Sequence, residues 1–268
     1  ALDREGNEIE ILSTKEGATG ESADMFPVVI ERYAWNRDDQ IKGAKEFRDR
    51  IEYLYYPEQD DEHPMLPVWR LDDTARLEAT LKLPFGKKVL ESGCSSGTVT
   101  IEIAKLNGVE EVWGNDLRDD AIGIAKDLVK DLSAQGKLTE AQANKITFKV
   151  SAAEDLKNPG GLFDTVCAFE MLEHLVPDDF DTVVTNIIRL MKPDGNFLVS
   201  VPNRYPDEFY EREGRSRWSA PDHKNFFSKA SMEFLLQKYF NSITFYPVDE
   251  RSVDKGVYLM CACGDRKI

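Results

Sequence analysis

From Lys87 onward, short apolar runs alternate with longer stretches that place an apolar residue every three or four positions. The runs Val89-Leu90, Glu111–Asn115, Ile146–Val150, Phe163–Phe169 and Phe197–Val201 have the length and β-branched content of strands. Between them lie helical faces: Val99, Ile103 and Leu106, closed by Gly108; Ile122, Ala125, Leu128, Val129 and Leu132, closed by Gly136; and Val183, Val184, Ile187, Ile188 and Met191 on a helix from about Asp179, ended by Pro193-Asp194-Gly195. Ser228 caps a further helix bearing Met232, Leu235, Leu236 and Tyr239. Two closing strands, Ile243–Val248 and Gly256–Cys263, are joined by a short polar connection. Strand–helix alternation of this kind predicts an α/β fold: a doubly wound, mostly parallel sheet with helices on both faces, its closing strand pair antiparallel.

The first third of the chain reads differently. Residues 1–24 are polar and rich in Gly, Glu, Ser and Thr, and are expected to form an arm. Residues 25–82 are expected to form a helical extension or lid. One helix there spans Asp38–Tyr56, with Ile41, Ala44, Phe47 (or Arg48), Ile51 and Leu54 on one face and Pro57 as the stop, and a shorter one spans about Asp72–Leu81. The acidic, proline-bearing stretch from Glu58 to Pro67 connects them. The main domain is then residues 83–268, interrupted at 203–227 by a segment too long for a simple connection.

Composition changes this picture in three ways. A net charge of −15, from 34 basic and 49 acidic side chains, argues against a nucleic-acid partner, because polyanion binding draws on surplus Lys and Arg. None of the four cysteines, Cys94, Cys167, Cys261 and Cys263, falls in a CxxC pair, so buried reduced thiols are expected; Cys261 and Cys263 share one strand face as core. No apolar run reaches the ~18 residues that span a bilayer, and the start Ala1-Leu2-Asp3-Arg4-Glu5 lacks signal-peptide organisation, so a cytoplasmic protein with no membrane partner is expected.

The chemistry begins at Glu91-Ser92-Gly93-Cys94-Ser95-Ser96-Gly97, directly after the first strand. Asp116 lies nineteen residues beyond Gly97, at the tip of the second strand. A strand, a glycine turn, a helix start and an acid on the neighbouring strand suit a nucleoside: glycine lets backbone approach the ligand, and the acid accepts from ribose hydroxyls. A dinucleotide turn would read G-x-G-x-x-G, whereas this one reads E-x-G-x-x-x-G, which suits a single nucleoside with a short amino-acid arm.

This turn resembles the first motif of the class I S-adenosylmethionine (SAM) methyltransferases, a resemblance that extends over roughly Leu83–Gly264 and implies a Rossmann-like, seven-stranded sheet with a reversed last strand. It implies SAM as cofactor, with Glu91, Gly93, Cys94 and Gly97 bordering the methionine half. Asp116 would accept from the ribose hydroxyls, with Leu117 next to it in the cofactor site, although Asp116 is also a good helix N-cap. The family's adenine-contacting acid has no match: Ala153 stands near that place, so Glu154 or Asp155 substitutes or the backbone around Ala153 reads the base.

Glu170-Met171-Leu172-Glu173-His174-Leu175, at the end of the fourth strand, is similar to the E-x-x-E-H segment of ubiquinone-biosynthesis O-methyltransferases and of sugar and natural-product methyltransferases. That resemblance implies a small-molecule or glycan acceptor, methylated at oxygen, with Glu170 beside the cofactor. A hydroxyl nucleophile benefits from a base, and His174 and His223 are the candidates. Glu170, Glu173, His174 and His223 also match in order the metal set of small-RNA 2′-O-methyltransferases, which gives the alternative of a metal-dependent RNA-end enzyme. A non-catalytic SAM-binding domain is the third reading. Within 203–227, Arg204, Arg212, Arg215 and Arg217, interspersed with Tyr205, Phe209, Tyr210 and Trp218, suit an anionic ring or sugar, while Asp207, Glu208, Glu211 and Glu213 offer those arginines internal partners.

Overall fold

The computed structural model describes residues 10–11, 29–30, 75–153, 155–156, 161–203, 224–225, 227–248, 252–253 and 256–267. The helix expected over Asp38–Tyr56, and most of the 203–227 segment with its arginines, lie outside the described residues. Glu10–Ile11 and Val29–Ile30 pair antiparallel as a separate two-residue ladder.

The main sheet has seven strands: β1 (Lys88–Ser92), β2 (Glu111–Asp116), β3 (Ile146–Val150), β4 (Phe163–Phe169), β5 (Met191–Pro202), β6 (Phe240–Tyr246) and β7 (Tyr258–Arg266). Their order is β3-β2-β1-β4-β5-β7-β6. The first five run parallel, and β7 is antiparallel to both β5 and β6. Wedging the reversed β7 between β5 and β6 lets the chain close with a short connection. β1 pairs on one side with β2 and on the other with β4, so the strand order reverses there and opens a crevice at the carboxyl ends of β1 and β4.

Period-two alternation decides which layer covers each face. Val89, Cys167, Leu198 and Met260 point to one side, where they pack with Ile103 and Ala104 of α1 (Thr98–Ala104). Ala79, from a short helix over residues 75–80, and the neighbouring Leu83 complete that layer. Leu90, Val166, Val199 and Cys261 point to the other side. There they meet Val184, Ile187 and Ile188 of α4 (Phe180–Arg189) and Met232, Leu235 and Leu236 of α5 (Lys229–Leu236). A third cluster joins Ile101 to Leu128 and Leu132 of α2 (Asp119–Ala134). Strands buried on both faces read as continuous apolar runs, and that is why β1 and β4 stand out in the sequence. Each of the buried Val, Leu, Ile and Met side chains among these contributes roughly 1.5–3 kcal/mol by leaving water.

Three local expectations need correction. The helix expected to continue to Met191 ends at Arg189, and Met191 already pairs with Phe163 as the start of β5. Pro193-Asp194-Gly195 therefore forms an irregularity inside the strand, where a Cβ on Gly195 would meet Met191 Cγ at 2.6 Å and the Asp164 carbonyl at 2.8 Å. A short α3 (Glu140–Ala143) has no counterpart among the expected helices, although Thr139 and Gln142 form a full capping box that the T-x-x-Q spacing announces. The closing strands sit at Phe240–Tyr246 and Tyr258–Arg266 rather than at Ile243–Val248 and Gly256–Cys263. The C-terminal helix does begin at Ser228, whose hydroxyl accepts from the Ser231 amide.

Candidate active site

The glycine turn is fastened from both ends. Gly93 and Cys94 donate their amides to the Asn115 carbonyl at 2.8 and 2.9 Å, and Gly97 donates to the Cys94 carbonyl at 2.8 Å. Gly93 and Gly97 both have φ +76°, and Ser95 has φ +48°, so this turn runs through the left-handed region where glycine is favoured. At Gly97 a Cβ would lie 2.5 Å from Phe148 Cζ and 2.8 Å from Ala125 Cβ; its absence lets α1 start against β3 and α2. At Gly93 a Cβ would lie 2.8 Å from Met171 Cγ, so the E-x-x-E-H turn packs directly on the glycine turn.

Asp116 joins this turn to the tip of β2. Its Oδ2 accepts from the Ser95 amide at 2.8 Å and its Oδ1 from the Arg118 amide at 3.0 Å. α2 begins at Asp119 with no side-chain cap, so Asp116 orders the connection to that helix without capping it. Each carboxylate oxygen retains acceptor capacity for a ligand hydroxyl. Beside it, Leu117 is 42% and Val150 52% exposed, large apolar side chains left open at the ends of β2 and β3. The Ser151 amide donates to the Asp116 carbonyl and Ala153 is half-buried, while Glu154 lies outside the described residues.

Glu91 is almost completely buried, and the Thr100 hydroxyl of α1 donates to its Oε2. Burial pushes its carboxyl from an ordinary 4.5 up to about 7, against the opposing pull of the Thr100 hydroxyl and the charge of Arg76. Arg76 itself is buried, with its guanidinium 5.4 Å from the centre of the Tyr258 ring. Sequence reasoning does not single it out. The available signal is a cation on the face that carries Ala79, Thr80 and Leu83, all of them buried. Around the same turn, Ser92 Oγ, Ser96 Oγ, Thr98 Oγ1, Asn115 Oδ1 and Ser151 Oγ are buried without a hydrogen-bond partner among the described residues. Orphaned polar atoms are rare in native interiors, and five of them lining one turn fit a site completed by a polar ligand and its waters. The residues present thus suit a nucleoside with a charged amino-acid arm. Burial raises the Cys94 thiol well above its usual range, so Cys94 contributes shape to this site and not a nucleophile.

At the end of β4 the backbone turns sharply. Glu170 has φ +49°, its amide donates to the Ser200 carbonyl at 2.9 Å, and the Ser200 hydroxyl donates to Glu170 Oε1 at 2.7 Å. A left-handed non-glycine residue held on both backbone and side chain marks a place where the fold enforces a costly conformation. A one-turn 3-10 helix, Leu172–His174, comes next. His174 is one-third exposed, with Nε2 3.8 Å from Glu173 Oε1, whereas Glu173 is buried. Among the described residues no three His, Cys, Asp or Glu side chains gather as metal ligands, so Glu170, Glu173 and His174 do not form such a set. His223 lies outside the described residues.

A glycine turn at the sheet's reversal point, an acid on the adjacent strand tip and a buried carboxylate beneath the turn define a class I SAM-dependent methyltransferase. A family described as a methyltransferase domain matches residues 63–239, and the chain belongs to it. Among curated relatives, a ubiquinone biosynthesis O-methyltransferase of Xanthomonas oryzae pv. oryzae is 34% identical over 149 residues, covering 55% of this chain and 54% of that protein. One of the same description from Vibrio campbellii is 38% identical over 120 residues, covering 45% and 46%. The chain thus spans about half the length of the curated relatives it matches. Among solved structures, magnesium protoporphyrin IX methyltransferase from Synechocystis PCC 6803 with bound SAM shares the fold, with TM-score 0.58 and 18% identity over 87% of this chain and all of that one (100%). No helix among the described residues is long and apolar enough to cross a membrane.

Proposed function

We propose that this methyltransferase acts on a hydroxyl of a small-molecule acceptor. The observation that carries the cofactor half of this reading is the pair of buried opposite charges, Glu91 and Arg76, at the glycine turn. An amino-acid arm presents an ammonium and a carboxylate; Glu91 would accept from the first and Arg76 would neutralise the second. Gly93, Cys94 and Gly97 supply the close backbone, Asp116 the acceptor for ribose hydroxyls, and Leu117 with Ala153 and Glu154 the adenine side. The oxygen assignment is supported by the likeness to ubiquinone biosynthesis O-methyltransferases and by the Glu170–Leu175 turn.

SAM supplies an electrophilic methyl on a sulfonium. The chain's own part is to hold the acceptor oxygen in line, exclude water and accept a proton. His174 is suited to that last role: its imidazole would take the proton that the acceptor hydroxyl loses on methylation. His223 is the other candidate on sequence grounds. Met171, packed on Gly93, and Glu170, held by Ser200, fix the wall between cofactor turn and acceptor side. Acceptor identity is assigned to residues 203–227 on their sequence alone. The four free thiols support a cytoplasmic location.

The test is mass spectrometry of small-molecule pools incubated with SAM, reading a 14 Da gain on a hydroxyl-bearing compound. His174→Ala and His223→Ala are then compared. The base is the one whose loss lowers kcat by about 10²-fold or more while SAM affinity is kept. A gain confined to amines, carbon acids or RNA 3′ ends rejects the proposal.

A further inference from the structure

The turn that carries His174 is held by a residue well separated from it in sequence. Asn225 is buried, and its side-chain amide donates one N–H to the Leu172 carbonyl at 3.0 Å and the other to the Leu175 carbonyl at 2.7 Å. The amides of Lys224 and Asn225 both donate to the Glu173 carbonyl, at 2.6 and 3.0 Å. Four hydrogen bonds therefore run from two adjacent residues to three carbonyls of a single turn.

A one-turn 3-10 helix leaves its carbonyls short of partners, because no further turn continues it to donate to them. Within this turn, the Leu175 amide reaches the Leu172 carbonyl at only 3.3 Å. Buried carbonyls left in this state cost free energy, and the turn would open to recover hydration. Asn225 removes that incentive. A carboxamide is the one uncharged side chain that offers two donors from a single nitrogen, spaced to bridge two carbonyls three residues apart. Asp has the same shape and no donor when ionised. On the opposite flank Ser200 holds Glu170, so the turn is gripped at its first residue by β5 and along its remainder by Lys224 and Asn225.

We propose that Asn225 is a positioning residue for methyl transfer, acting through the turn to set the orientation of His174. This rests on the reading of His174 as the acceptor-side base, whose own test is the turnover comparison of His174→Ala with His223→Ala, so the two can fail separately. The chain has three histidines, so the His174 imidazole resonance is assignable by its disappearance in His174→Ala. Wild type and Asn225→Ala are compared in three measurements: SAM affinity by calorimetry, deuterium exchange of peptides covering residues 170–176, and the His174 resonance. The expected result is SAM affinity within about twofold of wild type, local exchange faster by about tenfold or more from two lost hydrogen bonds, and a shifted or broadened His174 signal. Unchanged exchange overturns the proposal. So does faster exchange with an unmoved His174 signal, because that would make Asn225 a purely structural tie. If Asn225→Ala does not fold, the isosteric Asn225→Asp carries the same test at pH 8, where it offers no donor. Absence of SAM binding by wild type would instead reject the cofactor reading, whatever the exchange shows.

Discussion

Replacing Glu91 with glutamine should uncouple cofactor binding from pH. In the protein without cofactor, burial raises this carboxyl from 4.5 to about 7. The sign comes from proton counting. Between those values the folded state binds more protons than the unfolded one, so stability falls as pH rises through the interval. Above it the ionised carboxylate costs the fold about 3 kcal/mol. An ammonium placed against Glu91 reverses the balance by favouring the ionised form, so binding must expel the proton. With a free-state value about 7 and the carboxylate held ionised by the ammonium when SAM is bound, SAM should bind about eightfold more weakly at pH 6 than at pH 7.5. Proton release should be about 0.9 per SAM at pH 6 and about 0.2 at pH 7.5. Calorimetry in two buffers of different ionisation enthalpy reads both quantities. Glu91→Gln keeps a carbonyl to accept from Thr100 and cannot ionise. It should bind weakly at both pH values, release no proton, and be more stable than wild type at pH 8 by up to about 3 kcal/mol without cofactor. The variant also subtracts any titration of the ligand's own amine. Identical pH dependence in wild type and variant would refute the placement of the ammonium at Glu91.

Other substitutions probe the remaining contacts. Gly97→Ala should destabilise the fold by about 2–4 kcal/mol in thermal melts, combining left-handed strain with the overlap on Phe148 and Ala125. Asp116→Ala removes the acceptor for the Ser95 and Arg118 amides as well as for ribose, and SAM affinity measured by calorimetry should fall about 10- to 100-fold. His174→Ala should lower kcat by about 10²-fold with the KM for SAM nearly unchanged in steady-state assays.

The parts of this molecule that sequence conveys well are those where one physical demand dominates. Val89-Leu90 and Phe163–Phe169 are buried on both faces, and a buried parallel strand has little choice but to be apolar. The glycine turn is legible because Gly93 and Gly97 adopt φ values that few other residues tolerate. The reach of β5 back to Met191 is hidden because Pro193-Asp194-Gly195 reads as a helix stop, and only the partner strand shows it to be an irregular strand start. Arg76 and Asn225 are hidden for another reason. Their roles arise from contacts with Tyr258, Glu91 and the Leu172–Leu175 turn, all distant in sequence, so no local spacing announces them.

The central claim is that this chain transfers the methyl of SAM to a hydroxyl of a small molecule. Incubation with SAM carrying a trideuterated methyl, followed by mass spectrometry of the small-molecule pool and fragmentation of the product, tests it directly. The account predicts a 17 Da gain located on oxygen, accompanied by stoichiometric S-adenosylhomocysteine and absent in Glu91→Gln at limiting SAM. Label appearing only on nitrogen, carbon or RNA, or SAM binding with no label transferred to any small molecule, would contradict it.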